Sequence, residues 1–134
     1  MNDWQNSIAQ IRIARPTDKL SQVVDFYHKG LGLKIIGSFK DHDGYDGVMI
    51  GLPNKLYHLE FTAHKDVSPC PSPSKDNLLV FYIPQKYILD TLVNQLIDMG
   101  YPTVSSENPY WEKNGVTFED PDGWRGVLMN DSGI

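Results

Sequence analysis

His58 and Glu60 are the residues of this chain best spaced to act together. They stand two apart in residues 57–62, where Tyr57, Leu59 and Phe61 alternate with His58, Glu60 and Thr62. A period of two places the apolar set on one face of a strand and the polar set on the other. A His/Glu pair at that spacing can grip a metal ion, but two donors fall short of the three or four protein ligands a bound divalent ion keeps. Glu60 is the candidate catalytic group if the protein is an enzyme, and His58 with Glu60 is the metal site if there is one. A second alternating segment, residues 10–15, puts Gln10, Arg12 and Ala14 on one face and Ile11 and Ile13 on the other. Arg125 shares a strand face with Val127 and Met129 and can receive an anionic ligand group, or sit as a solvated charge at the strand end. Tyr110 and Trp111, in the sequence Asn108-Pro109-Tyr110-Trp111, can contact a flat or aromatic ligand, or plug the edge of the core.

Other arrangements are missing. No nucleophile–base set, glycine-rich phosphate loop or paired catalytic carboxylate is visible. Glu119 and Asp120 read as part of a turn, and His28, His42 and His64 lack the spacing of a histidine cluster.

The elements that must position these residues follow from size and pattern. A chain of 134 residues, 40% hydrophobic, supports one domain with a core of its own. A net charge of -5 with scattered Lys and Arg argues against a nucleic-acid partner. No apolar run approaches the ~20 residues of a membrane span, and the N-terminal residues lack the pattern of a secretory signal. A cytoplasmic protein with no membrane partner is expected. The single Cys70, between Pro69 and Pro71, cannot form an internal disulfide or a cysteine zinc cluster and is expected to be exposed.

The strand at 10–15 is followed by a helix that Thr17 or Asp18 can cap. Leu20, Val23, Val24, Tyr27 and Leu31 form its apolar stripe, and Gly30 and Gly32 end it. Strands are predicted at 34–39, 47–51 and 57–62. Residues 68–74 then place three prolines in a short stretch, which favours an extended connector. The second half restates the first. A strand at 77–83 leads to Pro84, which suits a first helical turn. Ile88, Leu89, Leu92, Val93, Leu96 and Met99 follow at helical spacing, and a hairpin at 116–119 and 124–130 closes the chain.

A doubled βαβββ order carrying Asp25-Phe26-Tyr27, Gly30-Leu31-Gly32-Leu33, Leu59-Glu60-Phe61-Thr62 and Phe118-Glu119-Asp120-Pro121-Asp122-Gly123 resembles the vicinal oxygen chelate superfamily. That group includes the glyoxalase I, bleomycin-resistance and extradiol dioxygenase proteins. The resemblance implies an α+β fold, a single domain over 1–134. Module one would span about 9–63, the linker about 64–76 and module two about 77–130, the modules sharing a concave cleft. It also implies four metal-ligand positions, at Arg12, Glu60, Asn77 and Val127. Only Glu60 suits the role. A guanidinium stays protonated and cannot ligate, Val127 has no donor, and Asn77 offers a carbonyl oxygen to hard ions alone.

The same geometry brings Arg12 near Glu60, so an ion pair in place of a metal is expected. No cofactor is expected, with a divalent metal as the alternative. The function that follows is a small-molecule-binding protein of the glyoxalase/bleomycin-resistance type, with Arg12, His58, Glu60, Asn77, Tyr110, Trp111 and Arg125 as ligand contacts. The alternative is a metal-dependent lyase, isomerase or dioxygenase acting on adjacent substrate oxygens. A homodimer is expected, with the apolar strand at 77–83 lining its interface.

Overall fold

The computed structural model describes residues 4–66 and 69–134. Residues 1–3 of the N-terminal stretch, and Val67 and Ser68 of the expected linker, lie outside the described residues. Two compact units divide at Cys70 and Pro71, within the proline-rich stretch. Each is a βαβββ module with its own four-stranded mixed sheet.

Module one runs β1 (Ile11–Pro16), α1 (Leu20–Val24), a π-helical segment (Asp25–Gly30), β2 (Lys34–His42), β3 (Tyr45–Gly51) and β4 (Tyr57–His64). The sheet order is β1-β4-β3-β2, with β1 parallel to β4 and the other pairs antiparallel. Alternation in β4 does what its pattern dictates. Leu59 and Phe61 are buried on the helix side, where Tyr27 stacks on Phe61 at 4.9 Å between ring centroids.

The helix ends at Gly30 with Gly32 at positive φ, as expected, but differs at its start and in its second half. Thr17 does not cap it directly. Its hydroxyl accepts from the Lys19 N–H at 2.9 Å, its own N–H donates to the Thr62 carbonyl, and Lys19 takes the cap position. Past Val24 the helix widens to π geometry, with the Leu31 N–H reaching back to the Phe26 carbonyl at 3.0 Å. This extra residue per turn lies where Phe26 and Tyr27 are fully buried. Strands β2 and β3 run closer to the Asp41–Gly44 turn than their apolar patterns suggest, and a bulge at Ile36 shifts their register.

Module two repeats the order with β5 (Leu78–Tyr82), α2 (Lys86–Asp98), β6 (Thr103–Val104), β7 (Gly115–Glu119) and β8 (Arg125–Met129). Its sheet is β5-β8-β7-β6, again with the first and last strands parallel. Leu89 and Leu96 are the buried residues of the α2 stripe, and Phe118 and Leu128 are the buried residues on one face of the sheet. Pro84 lies one residue before the Gln85 cap rather than in the first turn. Its carbonyl and that of Ile83 accept from the Asn130 side chain. Cys70 is half-buried rather than exposed. Among the described residues no helix is long and apolar enough to cross a membrane.

Candidate functional site

Register assembles the candidate site on one face of sheet one. Directly paired strand residues project to the same side. Arg12 is paired with His58, Ala14 with Glu60, and β3 sets Gly51 beside His58 and Met49 beside Glu60. The expected ion pair is present: Arg12 Nη1 donates to Glu60 Oε2 at 3.3 Å. It is only partly buried, with 47% of the Arg12 side chain and 12% of the Glu60 side chain exposed. The closer contact was not expected. Arg12 Nε donates to His58 Nε2 at 2.9 Å. His58 is no rim residue but is 3% exposed, and its Nδ1 is buried without a partner among the described residues.

Sequence reasoning missed the surroundings. Gly47, Gly51 and Gly37 fall on this same face, and each leaves room for a neighbour. A Cβ at Gly51 would come within 2.9 Å of the His58 Cβ, and one at Gly37 within 2.8 Å of the Met49 methyl. At Gly47 it would collide with the Phe39 ring. Met49 and Phe39, both half-buried, therefore supply apolar surface beside the polar trio. Three glycines among the β2 and β3 residues were the available signal, but which face they share depends on the register and on the bulge at Ile36.

The Arg12 guanidinium competes with any divalent ion for the donors of this face. Glu60 Oε2 and His58 Nε2, the donors a metal would use, both face the Arg12 guanidinium, a fixed cation. Ala14, beside Glu60, has no donor atom. Among the described residues no three His, Cys, Asp or Glu side chains gather as a metal site.

In module two the expected contacts are placed differently. Asn77 precedes β5 rather than standing in it, and its amide donates to the Ser74 hydroxyl at 2.6 Å. The register position equivalent to Arg12 is Leu78, opposite Arg125, and Val80 lies opposite Val127. The repeat therefore matches Arg12 with Leu78 rather than with Asn77. Arg125 is not a solvated strand end. It is 5% exposed, its Nε donates to Glu119 Oε2 at 3.1 Å, and its Nη1 donates to the Ser105 carbonyl at 2.8 Å. Glu119 closes β7 rather than belonging to the turn, whereas Asp120 holds that turn by accepting from the Asp122 and Trp124 N–H groups. Tyr110 and Trp111 lie in a 3-10 turn, Pro109–Glu112, capped by the Asn108 side chain. Their rings meet edge to face at 4.9 Å, with Tyr110 well exposed. The Trp111 carbonyl lies against Gly115, where a Cβ has no space.

Comparison with known proteins gives the same frame. Residues 11–62 match the YycE-like N-terminal domain and residues 76–130 the YycE-like C-terminal domain. The chain is 57% identical over 126 residues to the Bacillus subtilis protein YycE, covering 94% of this chain and 91% of that one. A crystal structure of the B. subtilis protein, described as a protein of unknown function in the glyoxalase/fosfomycin resistance class, superposes with a TM-score of 0.91 over 95% of this chain and 93% of its own. The trypanothione-dependent glyoxalase I of Leishmania major superposes at 0.72 with 17% identity, over 91% of this chain and 86% of that one. An antibiotic-binding protein of a Streptomyces species, TnmS3, superposes at 0.64 with 18% identity, over 92% and 95%. The last two likenesses are of fold.

Proposed function

Because the chain belongs to the YycE-like family, with the fold of glyoxalases and antibiotic-binding proteins, we propose that it is a small-molecule-binding protein of the vicinal oxygen chelate superfamily that works without a bound metal. One observation carries the reading: a single guanidinium contacts both Glu60 and His58, where a metal would need their lone pairs. The ligand sits on the Arg12, His58 and Glu60 face of sheet one. Of the contacts expected in module two, Arg125 is committed to Glu119 and the Ser105 carbonyl, and Tyr110 is well exposed.

Elemental analysis of dialysed protein tests the metal part, and a thermal-shift screen of small molecules tests the binding part. Near-equimolar zinc, nickel, iron or manganese would overturn the first. It would favour the alternative, a lyase, isomerase or dioxygenase built on His58 and Glu60.

The protein acts in the cytoplasm as a homodimer in this reading. Half-exposed Ile11, Ile13 and Ile35 on the two edge strands of sheet one offer apolar surface for the second copy. Light scattering that gives a concentration-independent mass near 15.2 kDa would refute the dimer.

A further inference from the structure

We propose that the Arg12/His58 face takes its ligand by an oxyanion, a carboxylate or a phosphate ester, carried on an apolar body. This rests on the small-molecule-binding reading and narrows it to a ligand class.

The argument starts from a proton. Arginine has only donors, so the 2.9 Å contact makes His58 Nε2 an acceptor. A neutral imidazole that accepts at Nε2 carries its hydrogen on Nδ1. That Nδ1–H is buried, on a side chain 3% exposed, and meets no acceptor among the described residues. An unmet buried donor is costly, so the position suits an acceptor supplied from outside the chain.

Arg12 points to the same class. Of the five N–H groups of a guanidinium, one is given to His58 and one to Glu60, and the rest lie on a half-exposed side chain. The short bond goes to a neutral ring. The carboxylate stands at 3.3 Å through one nitrogen, beyond the ~2.7–2.9 Å of a tight charge-assisted bond, so it does not engage the fork bidentately. The unspent donors of the fork select an oxyanion, whose two or three oxygens match a planar guanidinium. Met49 and Phe39 beside them, over glycines 37 and 47, select an apolar body.

The test uses the full chain. Nitrogen-15 NMR of the imidazoles should show His58 protonated at Nδ1 in the wild type. A thermal-shift screen should then pair acids with neutral partners, benzoate with benzamide and phenyl phosphate with phenol. The acids should raise Tm, shift the His58 Nδ1–H resonance and bind at least tenfold more weakly to Arg12→Lys, which keeps the charge but loses the fork. Arg12→Lys is chosen because it keeps a cation facing Glu60, so a loss of binding reports the fork rather than the charge. His58 protonated at Nε2 would overturn the proposal on the wild type alone. Neutral partners binding as well as the acids, with His58 unmoved, would overturn it while leaving the binding reading intact. No binding by either kind would end both.

Discussion

The two modules share one register and spend it differently. In module one, β4 carries His58 and Glu60, and their neighbours on β3 are Gly51 and Met49. In module two, the matching β8 positions are Arg125 and Val127, with Glu119 and Thr117 on β7 beside them. The polar groups have moved one strand over. Arg125 is buried between Glu119 and the Ser105 carbonyl, with Thr117 Oγ1 bonded to Ser106 Oγ nearby, so that face braces the sheet against the 105–106 segment. Arg12 stays half-exposed beside a histidine whose Nδ1 has no partner among the described residues. Equivalent backbone positions thus hold a cross-brace in one module and an available site in the other. The fold sets where side chains point, and a handful of residues decides whether they hold the protein or its ligand.

The helix-side cores should behave alike, which is the strongest test of the repeat. Phe61→Ala and Phe118→Ala each empty a fully buried aromatic site and should cost about 3–5 kcal/mol by urea unfolding. A value under ~1 kcal/mol for either would show that its module lacks the core its pattern implies.

The two arginines should then part company. Arg125→Met removes a buried donor from a carboxylate that is 38% exposed. Water relieves part of the loss, so the cost should be about 2–3 kcal/mol, below the ~3–5 of a fully buried pair. Arg12 is more exposed still, and Arg12→Met should cost about 1–2 kcal/mol. Equal costs would erase the distinction between brace and site.

Two glycines sharpen the same contrast within module two. Gly115→Ala drives a methyl into the Trp111 carbonyl and should cost about 1–3 kcal/mol. Gly126→Ala meets the Phe81 ring at 3.7 Å and the Leu79 carbonyl at 3.9 Å, both ordinary contact distances, and should change stability by less than ~0.5 kcal/mol. Thermal unfolding of both variants measures this directly. Coupling between Arg12 and Glu60 should also be small. A double-mutant cycle with Arg12→Met and Glu60→Gln should give about 1 kcal/mol, because the pair is partly solvated. Simple additivity would mean that His58 alone holds the guanidinium.

Much of the fold was legible. Alternation at 57–62 set which residues of β4 face the helix, and the stripe ending in Tyr27 marked the helix that covers them. The repeat of strand, helix and three strands was readable from turn residues and apolar spacing. The candidate site was legible in its members and less so in its bonds. The Arg12–Glu60 pair followed from the resemblance, whereas the tighter Arg12–His58 bond did not, since it joins residues 46 apart through a parallel register. Asn77 was misplaced because a strand's first residue is not marked by alternation; a shift of one position turns a side chain to the other face. Glu119 was assigned to the turn because Asp-Pro-Asp-Gly follows it, yet its pairing with Arg125 keeps it in the strand.

By itself the sequence determined the order of elements, the faces that are apolar, and the absence of donors at Ala14, Val80 and Val127, because periodicity and residue chemistry are local properties. Only the tertiary structure decided which polar groups meet. Strand register and the bulge at Ile36 are selected by packing across the sheet. They set Arg12 on His58, leave the His58 Nδ1 without a partner among the described residues, and bury Arg125 against Glu119.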